Sequence, residues 1–414
     1  MNKKRLIIIL CSVLTAIILI IFGLQFFGEK QGMVSVIAGD NNTVGDNNTV
    51  TDNSFDYKII HKVNESQNSN YLVSPLSIGY AFSMLNEGAR GESKKQLDEV
   101  LNNYNLLRVN NVKDRIGIAN GLFINSNSKK LINKSYINTL EDKYGAEIIF
   151  DKFNGPKVVN DWVNKKTFKM IPAALSNLFP DTIMVLVNTV AIDLEWEHEF
   201  KEENTHSQEF TTLDGNKINS AMMRASNNVN YIKSDKAQGI VKSYKSYNDS
   251  SNLEYIAILP DGDIKEYVKN FNEEEFKALF NSRRFANGEN LEVNYNLPKY
   301  TYDYKYDNIK EDLYDLGIKD IFTNESNLKG ISEQANLAVD EVVHKTHIEV
   351  SEKGTKAAAV TAISFKNTVA VRDEHEIINI DFDRPFVYII KDVKYDNIWF
   401  FGVVYEPMKW EDNK

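Results

Sequence analysis

Six histidines and one cysteine are the residues from which metal-binding or nucleophilic chemistry would have to be built. His344 and His347 stand three apart, a spacing that on a helix puts two imidazoles on one face and starts a zinc site. The flanking Leu337-Ala338-Val339-Asp340-Glu341-Val342-Val343 and Ile348-Glu349-Val350 read as strand, where residues three apart face opposite sides. No metal site is expected, and His344 reads as a hydrogen-bonded structural histidine. The single cysteine, Cys11, lies inside an apolar segment, so the rest of the chain has neither a disulfide nor a thiol nucleophile. Gly-x-Ser-x-Gly, His-Glu-x-x-His and a phosphate-cradling glycine loop are all missing. A hydrolase using His344 and a serine is the enzymatic alternative; no catalytic residue and no cofactor are expected.

The unusual chemistry is in the backbone. Glu352-Lys353-Gly354-Thr355-Lys356-Ala357-Ala358-Ala359-Val360-Thr361-Ala362 is too rich in β-branched residues, and too poor in charge pairs, for a stable isolated helix. As a strand it alternates. One face carries Thr355, Ala357, Ala359, Thr361, Ile363 and Phe365, and the other Lys356, Ala358, Val360, Ala362, Ser364 and Lys366. The first face is uncharged, small at its start and bulky at its end, with the permissive Gly354 ahead of it. Such a segment can be either an exposed loop or an inner strand.

The elements that would position it follow from pattern. Hydrophobic content of 43% and charged content of 26% over 414 residues suit a large packed core. The net charge of −10, without a basic run, argues against nucleic acid as a partner. Lys3, Lys4 and Arg5 precede an apolar run, Leu6 to Phe27, whose 22 residues span roughly 33 Å as a helix, enough for a bilayer core. Residues 1–27 therefore read as a signal anchor with a cytoplasmic N-terminus, and all that follows is expected outside the cell, single-pass. Cleavage after Val36-Ile37-Ala38, giving a secreted protein, is the alternative. Residues 28–54, with Asp-Asn-Asn-Thr-Val repeated at 40 and 46, read as a flexible linker with two glycosylation sequons. Residues 55–414 read as one domain. Helical spacing marks Phe55 to Val63, Leu76 to Leu85, 135–145, 156–168, 264–280 and 307–316. Strand patterns mark Leu253 to Leu259, Leu291 to Leu297, Phe386 to Ile390 and Ile398 to Tyr405, and 183–192 reads as a strand buried on both faces. The class is α+β with mixed sheets.

With these elements in place, the chain resembles the serpin family over nearly all of residues 55–414. Gly354 to Ala362 is similar to the family's reactive-loop hinge, and Glu341-Val342-Val343-His344-Lys345 with Ile348-Glu349-Val350 to the strand leading into it. Asn70-Tyr71-Leu72-Val73-Ser74-Pro75-Leu76-Ser77-Ile78 resembles an early strand-to-helix motif. Leu186-Val187-Asn188 and Trp196 resemble the central strand and the tryptophan at its end. Asp383-Arg384-Pro385-Phe386 and Phe401-Gly402-Val403-Val404 resemble the C-terminal motif.

The resemblance implies a serpin fold of three β-sheets, eight or nine helices and an exposed reactive-centre loop at about 352–374. It implies a monomeric suicide-substrate inhibitor of a serine protease, or of a cysteine protease, that acts by loop cleavage, acyl-enzyme trapping and strand insertion. A non-inhibitory chaperone, carrier or adhesion module is the alternative. The hinge would comprise Glu352, Gly354, Thr355, Ala357, Ala358, Ala359 and Thr361. Ser74, Ser77, Asn188 and His344 would form the polar shutter beneath the opening sheet, and Trp196 the breach where insertion begins. Family spacing places the scissile bond at Thr368-Val369, while the long stretch to Pro385 leaves Val371, Arg372 and Lys366 open. Thr368 with Phe365 upstream suits elastase-like or subtilisin-like proteases. The chain departs from the family pattern at Lys356, where an acidic residue is usual, and in the short Leu101-to-Ile116 connection, which lacks one helix.

Overall fold

The structure is a computed structural model and describes residues 54–102, 104, 106, 111–247, 252–288, 290–355, 376–393 and 397–413. The first part alternates helix and strand: α1 (Ser54–Ser66), β1 (Tyr71–Val73), α2 (Pro75–Gly88), α3 (Gly91–Leu101), β2 (Ile116–Asn125), α4 (Lys134–Tyr144), β3 (Glu147–Asp151) and α5 (Lys157–Lys166). Local signals set the boundaries. Ser74 caps α2, its hydroxyl accepting from the Ser77 N–H, and Pro75 supplies a helix-ready first residue. Gly145 ends α4 at a φ of 60°.

A run of strands follows: β4 (Met184–Ile192), β5 (Leu194–Glu195), β6 (Thr205–Thr211), β7 (Lys217–Ser226), β8 (Val229–Lys233), β9 (Ala237–Ser243) and β10 (Leu253–Pro260). Next come α6 (Ile264–Lys269), α7 (Glu273–Asn281), β11 (Arg284–Ala286), β12 (Leu291–Pro298), β13 (Tyr300–Lys305) and α8 (Ile309–Asp315). The last are β14 (Lys345–Val350), β15 (Gly354–Thr355), β16 (Glu376–Asp381), β17 (Phe386–Asp392) and β18 (Asn397–Val404). Eight α-helices are present among the described residues.

Three readings need correction. The helix expected over 264–280 is two, because Asn272 leaves helical geometry and caps α7, accepting from the Glu275 N–H. The strand expected from Leu337 begins only at Lys345, where its neighbour β13 ends; residues before it have no ladder partner. The strand at 183–192 is not buried on both faces: Met184–Asn188 are half-buried and only the last four residues fully buried. As an edge strand, β4 has one side unpaired.

The core is centred on a seven-stranded sheet in the order β1-β18-β17-β10-β9-β8-β11. Every residue of β10, β17 and β18 is buried, as their almost unbroken apolar runs require. A four-stranded sheet, β16-β12-β7-β6, adjoins it. The remaining strands form a sheet in two parts, β13-β14-β15-β5 and β3-β2-β4. The parts are linked because β5 resumes the chain path of β4 after Asp193. β15 bridges β14 and β5 for only two residues, and below it β4 and β14 are not paired with each other.

Candidate functional site

The gap between β4 and β14 begins at β15. Gly354 lies opposite Glu195, and Thr355 opposite both Leu194 and Val350. A Cβ on Gly354 would sit 2.0 Å from the Leu194 carbonyl oxygen and 2.8 Å from Glu195 Cα, so only glycine permits this pairing. Thr355 is 3% exposed, and its hydroxyl lies 2.6 Å from that of Tyr244. Tyr244 in turn stacks on Trp196 at 4.8 Å and 10°. Trp196 is fully buried; its indole N–H donates to the Ser351 carbonyl at 3.0 Å and its backbone N–H to that of Lys353 at 2.9 Å. The tryptophan thus grips the turn that delivers Gly354 into the sheet.

Glu352 anchors the same turn. Thr205 Oγ1 donates to its carboxylate at 2.7 Å, Lys299 Nζ pairs with it at 3.0 Å, and its carbonyl accepts from the Phe200 N–H. Burial by itself raises the carboxyl, but Thr205, the residue's own backbone N–H and Lys299 outweigh it and hold the group below the usual carboxylate range. Neither Thr205, Lys299 nor Tyr244 was singled out in the sequence. Their contacts span 147, 53 and 111 positions and leave no local signal.

Lower in the gap, Ser74, Ser77, Asn188 and His344 line one cavity of about 50 Å³. A smaller one, about 20 Å³, lies above it between Val190, Ile192, Thr346, Ile348 and Thr355. The four polar residues form two separate groups. The Ser74 N–H donates to His344 Nε2 at 3.1 Å while the Ser74 hydroxyl accepts from Ser77. Across the gap, the Asn188 amide donates to Asn120 Oδ1 at 2.8 Å, and Asn120 donates to the Tyr144 carbonyl. Asn188 Oδ1 and Thr189 Oγ1 are buried without a hydrogen-bond partner among the described residues. The connection after α5 covers the gap: Met170, Ile171 and Ala174 line the cavities, and Lys345 Nζ donates to the Ala173 carbonyl at 3.0 Å.

His347 turns to Asp303, with Nδ1 2.8 Å from the carboxylate, and so shares no ligand geometry with His344. Burial pushes His344 down from 6.5 to about 4, and as an acceptor for the Ser74 N–H it must be neutral. The unfolded chain takes up this proton first, so stability present above pH 6.5 should be lost as pH falls from 6.5 towards 4. The full effect is about 3 kcal/mol. Denaturant midpoints at pH 7 and pH 4.5 should lie closer together in His344→Gln than in the wild type. Equal acid sensitivity of the two chains would refute the assignment.

The hinge residues Ala357, Ala358, Ala359 and Thr361 lie outside the described residues, as do the scissile-bond positions Lys366, Thr368, Val369, Val371 and Arg372.

An α+β domain whose main sheet is parted, with a strand beginning at the head of the opening, defines the serpin class. The family model described as Serpin (serine protease inhibitor) matches residues 50–407, and the chain belongs to that family, whose members are mostly protease inhibitors rather than enzymes. It is similar to an uncharacterised serpin-like protein of Methanosarcina acetivorans, 28% identical with 84% of each chain covered. It is similar also to alpha-1-antitrypsin 1-3 of Mus musculus, 30% identical over 83% of this chain and 85% of that one. Among solved structures, the thermophilic serpin tengpin in its native state superposes with a TM-score of 0.73 at 28% identity, covering 89% of this chain and 96% of that one.

Proposed function

We propose that this serpin is an irreversible inhibitor of elastase-like or subtilisin-like serine proteases, acting as a monomer through cleavage of its loop near Thr368-Val369. The observation that carries the reading is β15. Gly354 and Thr355 already pair at the head of a gap whose two walls run parallel to each other. A strand continuing from Thr355 would be antiparallel to both walls, the more favourable ladder, and would be added as an extended segment to open strand edges. Thr355 faces inward, so the period of two carries Ala357, Ala359, Thr361, Ile363 and Phe365 onto the inner face. Small side chains enter first and bulky ones last. A protease held as an acyl-enzyme on the cut loop would be dragged along and distorted before deacylation.

The same reading holds the inhibitor at the outer face of a membrane through residues 6–27, with secretion after cleavage as the variant form. Its support is the basic flank Lys3-Lys4-Arg5 before the apolar run. That run lies outside the described residues, and among the described ones no helix is long and apolar enough to cross a membrane.

The full-length chain incubated with elastase, subtilisin and trypsin should give, with the first two, a covalent band that survives a denaturing gel. Clean loop cleavage without that band would place the chain among non-inhibitory serpins. A band with trypsin alone would move the bond to Lys366 or Arg372.

A further inference from the structure

One buried lysine has no counter-ion among the described residues. Lys242, on β9 opposite Tyr255, is 2% exposed, and no carboxylate lies within ion-pair distance of it among the described residues. Its Nζ donates to the His198 carbonyl at 2.9 Å and to the Tyr295 hydroxyl at 3.1 Å. Around it stand the rings of Phe200, Trp196 and Tyr295, with centroids 4.5, 5.4 and 5.6 Å away. A neutral amine has two N–H groups, and both are used here. An ammonium has a third that meets ring faces, which offset part of a desolvation cost but do not replace a carboxylate. The surrounding residues are those that grip the mouth of the gap. Trp196 holds the Ser351 and Lys353 carbonyls, Phe200 holds that of Glu352, and Tyr244, two residues on from Lys242 and just past the end of β9, holds Thr355.

We infer that Lys242 is a proton-operated release for the mouth of the gap: its charged form favours outward movement of the Trp196–Phe200 segment, which lets water reach the ammonium, and its neutral form leaves that segment closed. This rests on the insertion reading above and names how that insertion is regulated. Burial alone lowers the amine from 10.5 to about 7, so the change of state falls near neutral pH. The open form regains an ordinary lysine and binds the proton at higher pH. Opening therefore becomes less favourable as pH rises from about 7 to 10.5 and is level below about 7.

The other ionisable groups near this site are buried phenols, members of ion pairs of their own, or turned outward. The Tyr244, Tyr255 and Tyr295 phenols are pushed up by burial. Glu352 and Lys299 close on each other, Glu254 pairs with Arg283, and Glu199 with Lys245. His198 presents its backbone carbonyl, and its side chain is exposed with Glu197 on the same turn.

The test is hydrogen exchange of peptides spanning Trp196–Phe200 in the intact full-length chain, corrected for intrinsic exchange, from pH 6 to 9.5. Protection should be flat below pH 7 and rise by up to about tenfold per pH unit between 7.5 and 9.5. Lys242→Met should be flat throughout and better protected at pH 7, whereas Lys242→Arg, always charged, should stay poorly protected at pH 9. A Lys242→Met chain with the wild-type slope would overturn the inference. So would a wild-type chain with no slope, whatever the folding of the variants. The readout needs no protease, so a chain that shows the slope yet traps no enzyme supports the lysine's role while defeating the inhibitor reading.

Discussion

Nicking the chain within residues 366–372 should raise its melting temperature by about 10 °C or more, the largest stability change expected anywhere in the molecule. Extending β15 down the gap would form about a dozen backbone hydrogen bonds worth roughly 1 kcal/mol net each, on the order of 10 kcal/mol in total. For a domain of about 360 residues the unfolding entropy converts each kcal/mol into a little over 1 °C. Ile363 and Phe365 add apolar burial, and an inserted strand would fill the cavities of about 50 and 20 Å³ that separate the walls. The intact form is on this account a kinetically trapped state, held by the segment over the gap and by the grip of Trp196 on its mouth. Calorimetry before and after limited proteolysis reads the effect directly. Coincident melting of the two forms would remove the energy source on which inhibition depends.

On the proposed inhibitory mechanism, Thr355→Arg should make the chain a mere substrate of its protease. Thr355 occupies a closed position between β14 and β5, with Tyr244 as its hydroxyl partner. A guanidinium there would be desolvated, at a cost of several kcal/mol. The cheaper solution is for residues 354 and 355 to leave the sheet, which removes the start of the inserting strand. Insertion competes with deacylation, and slowing it by about 3 kcal/mol shifts that competition by roughly a hundredfold. The ratio of cleaved serpin to covalent complex on denaturing gels should rise accordingly, while Thr355→Ser, which keeps the hydroxyl and the size, should trap protease nearly as the wild type does. Undiminished trapping by the arginine variant would mean that Thr355 does not begin the insertion.

Much of the architecture was legible from local pattern. Apolar runs marked β10, β17 and β18, and helical spacing marked α1, α2, α4, α5 and α8, because periodicity acts over a few residues. The break between α6 and α7 was missed although Asn272 carries it, since the apolar period runs on through the cap. The burial of β4 was misread for another reason: Met184–Asn188, beside the gap, are only half-buried. A run of β-branched and apolar residues records that a strand packs, and does not record whether a neighbour lies alongside it.

The sequence by itself determined that residues 352–365 could live either in solvent or in a sheet, because side-chain size and alternation are properties of the segment alone. Only the tertiary structure decided that an opening waits for them, that Glu352 is held by Thr205 and Lys299, that the serine–histidine and asparagine pairs stand on opposite walls, and that Lys242 is enclosed with no carboxylate in ion-pair reach among the described residues. Each of these depends on which surfaces meet across tens to hundreds of positions, and the free energy of such meetings belongs to the packed whole.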